Sequence, residues 1–182
     1  MANYNTLREA NIARNIEWTG NQSIEDFTWR GCELVGEVGE VAEVLTRHTP
    51  NAWNSKDELA DELADSVICI DLTRMTLGLP EQTIFAQGSF THVEREALRL
   101  LREVAAIANL IKKLERERRG WPGSRANLED VDRMLQNLMG RLGLVAFYYS
   151  LDLNEATARK FNATSHKVGL VTRLIYGGEI LT

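Results

Sequence analysis

The sequence predicts an all-α fold, a helical bundle in one domain, and three observations predict it. Only three prolines, Pro50, Pro80 and Pro122, interrupt 182 residues, and two of them sit in obvious breaks, RHTPNAWNS and RGWPGSRAN. Between the breaks, apolar residues recur with helical rather than alternating spacing. Strand signals are weak throughout. An apolar content of 44% is that of an ordinary chain able to bury a core.

In chain order, helices are expected near 5–18, 25–48, 55–77, 91–119, 127–150 and 153–163. GLP (78–80) and LDLN (151–154) read as short turns with N-cap chemistry nearby. An internal repeat organises the middle of the chain. GEVGEVAEVLTR (36–47) aligns with REVAAIANLIKK (102–113), and LGLPEQT (77–83) aligns with LDLNEAT (151–157). The chain then divides into an N-terminal helix (1–22), one helical copy (23–88), a diverged second copy (89–163) and a C-terminal tail (164–182). The copies differ in charge. Glu40 aligns with Ala106, and no carboxylate stands near Met139 and Gly140, where Asp65 should have a counterpart. The second copy carries instead the basic stretch KKLERERRGWPGSR and the tail RKFNATSHK.

The first copy concentrates acids. At about 100° per residue, Leu34, Val38, Val41 and Leu45 form one stripe, and Glu33, Glu37 and Glu40 lie on its flank. Twenty-five residues on, Leu59, Leu63, Ser66 and Ile70 take the stripe, and Glu58, Glu62 and Asp65 take the flank. Helices joined by a short connection pack antiparallel through such stripes, so both acid rows should meet at a half-buried rim. Burial and repulsion there raise carboxylate pKa values, and a hard divalent cation, Mg²⁺ or Mn²⁺, relieves both. Gly36 and Gly39, each costing about 1 kcal/mol in a helix, suggest a close approach by another backbone or a ligand. His48, His92 and His166 make no Glu-x-x-His pair, so a zinc or di-iron site is disfavoured, and they read as surface or capping residues.

Composition narrows the function classes. A net charge of −5 offers no basic field to nucleic acid or an anionic membrane. Cys32 and Cys69 lack metal-ligand or redox spacing and read as buried free thiols of a reducing compartment. The N-terminus is polar, and no apolar run approaches the roughly 20 residues that span a bilayer. A soluble cytoplasmic protein is expected.

EVGE (37–40) followed by ELAD (62–65) resembles the E-x-x-E, spacer, E-x-x-D signature of the MazG-like all-α nucleoside triphosphate pyrophosphohydrolases. KFNATSHKVGL (160–170) and NLIKKLERERRGWPGSR (109–125) resemble segments of phage members, some of them MazZ-like. The pattern departs from single-domain members, because acids and basic segments fall in different copies, as in two-repeat dUTPases of the wider superfamily.

The resemblance implies a MazG-like fold and hydrolysis of a (deoxy)nucleoside triphosphate to the monophosphate and pyrophosphate, with two or three Mg²⁺ or Mn²⁺ ions. It implies Glu37, Glu40, Glu62 and Asp65 as metal ligands, and Glu33 or Glu58 as orienting the attacking water. It points to Lys160, Asn162, Thr164, Ser165 and Lys167, and more weakly to Lys112, Lys113, Arg116 and Arg119, for the phosphates. Asn15 and Trp18 are implied for the base, while Trp29, Trp53 and Trp121 read as packing residues. A deoxypurine such as dGTP is the favoured substrate. A dUTPase-like or broad dNTP activity, or non-catalytic nucleotide binding, stands as the alternative. A homo-oligomer, dimer or tetramer, is expected, in the host cytoplasm if the chain is phage-encoded.

Overall fold

The computed structural model describes residues 2–20, 26–47, 52–90 and 92–181. Among these the chain is mostly helical, with α1 (Leu7–Thr19), α2 (Phe27–Thr46), α3 (Ala52–Thr76), α4 (Val93–Arg118), α5 (Leu128–Tyr148) and α6 (Leu153–Lys167). Their ends fall within about one turn of the expected boundaries. Side-chain caps fix several starts. Thr6 accepts from the Glu9 N–H, Asp26 from Thr28 and Trp29, Asn127 from Glu129, and Asp152 from Asn154 and Glu155.

The apolar stripes behave as their spacing predicts. Leu34, Val38, Val41 and Leu45 of α2 are buried, as are Leu59, Leu63, Ser66 and Ile70 of α3. The apolar ones join one core with Leu100, Val104, Ile107 and Ile111 of α4 and Leu135, Leu138 and Leu142 of α5. A smaller cluster gathers Ala10, Ile68, Ala158, Phe161 and Leu174. Helix α3 serves both, which places its acids between the bundle and the α1–α6 layer.

A small three-stranded sheet accompanies the helices. Helix α6 runs on to Lys167, and beyond it β2 (Thr172–Tyr176) pairs in parallel with β1 (Ala2–Tyr4) and antiparallel with β3 (Glu179–Ile180). Gly177 and Gly178, at φ 60° and 87°, make the two-residue turn between β2 and β3.

Helices α3 and α5 end alike. The Leu79 N–H donates to Arg74 O at 2.8 Å and the Leu151 N–H to Ala146 O at 2.9 Å, with Gly78 and Ser150 at positive φ. These are Schellman turns. They equate Leu79 with Leu151, whereas the sequence alignment equates Leu77 with Leu151. Helices α4 and α6 stop in the same way, through Trp121 to Arg116 and Leu170 to Ser165, so the turn is a general stop signal and not a mark of duplication. After Leu151 the chain forms α6; after Leu79 the described residues up to α4 form no helix and lie on α5. There the Gln87 N–H donates to Gly140 O at 2.9 Å, and a Cβ at Gly143 would sit 2.0 Å from the Phe85 carbonyl oxygen.

A buried polar joint docks α1 on α3. The Arg8 guanidinium holds Asp71 at 2.8 Å and reaches Leu79 O at 3.0 Å, and Asn11 Nδ2 donates to the same carboxylate at 2.9 Å. At the other end of α1, the Glu17 carboxylate accepts from the Val171 N–H and from the Thr172 N–H and hydroxyl.

Candidate active site

Helices α2 and α3 bring Glu37, Glu40 and Glu62 together, each offering an oxygen within 4.8 Å of the others. Of the six flank positions with the shared register, these three come together. Burial raises the Glu37 pKa to about 7, helped by the negative charges of Asp65, Glu40, Glu62 and Glu33. Glu62 rises to about 7 through burial, then through a hydrogen bond with Glu40. Three oxygens in this space suit a hard cation. Around an octahedral Mg²⁺ with bonds of about 2.1 Å, ligand oxygens stand about 3.0 Å apart when adjacent and about 4.2 Å apart when opposite, so the three carboxylates would have to draw in to share one ion. Protons shared among crowded carboxyls are what a cation would displace.

Asp65 stands beside this set in an ion pair. Lys160 Nζ of α6 lies 2.9 Å from Asp65 Oδ2 and 3.6 Å from Asp61 Oδ2. Burial raises the Asp65 pKa, opposed by Lys160. Burial alone would lower the Lys160 pKa, but Asp65, Asp61 and Glu62 raise it. Helix α6 therefore sends a lysine across to the acidic row, and the acids of α2 and α3 and the lysine of α6 meet within one chain.

Next to the acids opens a cavity of about 330 Å³, at the small end for ligand sites. Glu33, Glu37 and Asp65 line it with Asn11, Arg14, Asn15 and Trp18 of α1, Trp29 and Arg30 of α2, Cys69 of α3 and Thr164 of α6. Trp18 and Trp29 are 56% and 55% exposed, so both are mouth residues and not core packing. Arg30 Nη1 pairs with Glu33 Oε2 at 2.7 Å. The Cys69 thiol is pushed well above its ordinary pKa, first by burial and then by Glu33 and Glu37, and stays protonated.

Several expected residues lie elsewhere. Asn162 is buried, with Nδ2 donating to Leu174 O and Leu181 O and Oδ1 accepting from the Leu174 N–H, so its amide holds the sheet and cannot grip a phosphate. Ser165 is fully buried and does not line the cavity, while Lys167 is exposed at the last turn of α6. Lys112, Lys113, Arg116 and Arg119 sit at the C-terminal end of α4, outside the cavity wall, and Arg119 pairs with Glu115. Glu58 is tied to Arg47 at 2.7 Å. Cys32 is exposed, not buried, and Trp121 is 55% exposed. Outside their own helix, no atom of the described residues would lie within 4 Å of a Cβ at Gly36 or Gly39, so no close backbone among them accounts for either glycine. His92 and His166 are exposed; His48 and the side chain of Trp53 lie outside the described residues.

Sequence reasoning missed Asn11, Arg14, Arg30 and Asp61. The first two share a helical face with Asn15 and Trp18, a polar stripe easily taken for a solvated surface. Among the described residues, no helix is long and apolar enough to cross a membrane. No protein-family model, curated protein or solved structure matches the chain.

Proposed function

We propose that this chain is a metal-dependent nucleoside triphosphate pyrophosphohydrolase, releasing a (deoxy)nucleoside monophosphate and pyrophosphate. The observation that carries the reading is the convergence of Glu37, Glu40 and Glu62 beside a cavity furnished for a planar, polar ligand. Glu37 belongs to both.

Glu37, Glu40 and Glu62 would hold Mg²⁺ or Mn²⁺, with Asp65 adjacent. A hard cation there supplies neutralisation of phosphate oxygens and a water of lowered pKa. The chain's own groups do the rest. Trp18, at the mouth, offers a face for the base. Lys160, anchored by Asp65 and Asp61, offers a point charge to phosphate oxygens. Glu33, oriented through Oε2 by Arg30, keeps Oε1 to accept the proton of an attacking water. That water forms a bond to phosphorus as the bond to the bridging oxygen breaks, and pyrophosphate leaves.

The test is product identification after incubation with each dNTP and Mg²⁺ or Mn²⁺. Monophosphate plus pyrophosphate, lost in Glu40→Gln, is the expected result. Orthophosphate as the product, or turnover indifferent to Glu40→Gln, refutes the reading.

A further inference from the structure

The cavity lining contains a buried charge that makes no direct ion pair among the described residues, although Asp65 and Glu33 act on it from further off. Arg14 is 7% exposed, and no carboxylate lies within ion-pair distance of it among the described residues. One face of its guanidinium covers the Phe161 ring at 3.7 Å. Among the described residues only two of its five N–H groups find acceptors, Phe161 O and Asn11 Oδ1, both at a long 3.4 Å. A buried cation with spare donors is costly unless something supplies acceptors.

Its neighbour Asn15 is oriented to match. Arg30 Nη2 faces Asn15 Oδ1 at 3.3 Å. Arginine has only donors, so the atom it meets must be the amide oxygen, and the Nδ2 donor is left for the cavity. Arg30 is itself fixed by Glu33 and Thr76. One oxygen each of Glu33 and Asp65 is taken, by Arg30 and Lys160, and Glu37 belongs to the acidic set beside the cavity. Within that lining, Arg14 and the Asn15 amide N–H are donors of α1 left for a ligand, with the exposed Trp18 and Trp29 in the same wall.

We propose that Arg14 and Asn15 together read a carbonyl on the edge of the nucleobase, making the site selective for oxo bases over amino bases, with Arg30 as the positioning residue that sets the Asn15 amide. This rests on reading the site as a nucleotide site. Guanine, uracil and thymine present a carbonyl acceptor on the edge where adenine and cytosine present an amine. An amine directed at a buried guanidinium leaves donors facing donors, and such mismatches are rejected strongly.

The test compares kcat/KM for dGTP, dUTP, dATP and dCTP in the wild type, Asn15→Asp and Arg14→Lys. Quenching of tryptophan fluorescence by non-hydrolysable analogues of the same four is read in parallel. The wild type should favour the oxo bases at least about tenfold. Asn15→Asp is isosteric, keeps the oxygen facing Arg30 and exchanges the free donor for an acceptor, so it should erase or invert the preference. Arg14→Lys should reduce the oxo-to-amino ratio. Equal use of all four bases by the wild type, or an equal fall for all four in both variants, overturns the proposal and points to a phosphate contact, while leaving the hydrolase reading intact. Oxo-selective quenching without turnover supports the base slot and removes the hydrolase reading.

Discussion

Glu37 and Glu62 make the metal-free fold less stable as pH rises. Each titrates near 7, against an ordinary 4.5. Between about pH 4.5 and 7 the folded chain keeps protons that the unfolded chain has released, so stability falls across that window and is lowest above it. An elevation of about 2.5 in pKa corresponds to about 3.4 kcal/mol for a fully shielded carboxyl. Both groups are half-buried and share one field, so screening and coupling reduce the combined effect to about 2–3 kcal/mol. At about 2–4 °C per kcal/mol for a domain of this size, the melting temperature in EDTA should drop by about 5–10 °C between pH 5 and pH 8. Glu62→Gln removes one of the repelling charges, so it should flatten that profile and melt above the wild type at pH 8. Mn²⁺ at a hundred times its dissociation constant should restore about 2.7 kcal/mol to the wild type and much less to the variant. A wild-type melting temperature that holds or rises from pH 5 to 8, or a Glu62→Gln protein less stable than wild type at pH 8, refutes the reasoning.

Three further outcomes are expected. Lys160→Ala should lower kcat/KM for nucleotide hydrolysis by at least about 10²-fold, and steady-state kinetics unchanged by it would remove α6 from the site. Gly143→Ala places a methyl where the Phe85 carbonyl stands; overpacking of that kind costs about 1–3 kcal/mol or more, read as a lowered urea midpoint. Asn162→Ala strips three hydrogen bonds from the sheet and should cost about 2–3 kcal/mol while leaving KM of the folded fraction unchanged, whereas a raised KM would return Asn162 to the phosphates.

What the sequence made legible was local. The α2 and α3 stripes and the acid rows on their flanks depend only on helical spacing and a shared register, and Glu37, Glu40 and Glu62 meet accordingly. What stayed hidden depends on distant partners. Asn162 and Ser165 look like an exposed polar tail until Ala158, Phe161, Asn162 and Ser165 are seen as one buried face of α6, with Leu174 packed nearby. The signal for that packing was RLIYGGEI, two short apolar runs around a Gly-Gly turn, weak beside so much helix. Residue type alone reads Trp29 and Trp121 as packing residues, yet both are exposed, because exposure is not encoded in type. Arg14 was invisible for a similar reason, because a buried arginine on a polar stripe reads as solvent-facing until the opposing helix is in place.

The joint at Asp71 bears on how variants of this protein will be interpreted. Apolar helix contacts slide and repack with little penalty, but a carboxylate held by Arg8 and Asn11 tolerates little displacement. The helix bearing Asn15 and Trp18 is thus indexed to the helix bearing Glu62 by a coupling with direction as well as strength. An Asp71→Leu chain could fold, hold metal and still misalign base and phosphate, presenting in an assay as an active-site lesion although the altered residue touches no ligand. A mutational scan would then recover this joint among the functional positions, and only a structure of the variant would reveal a fault of alignment.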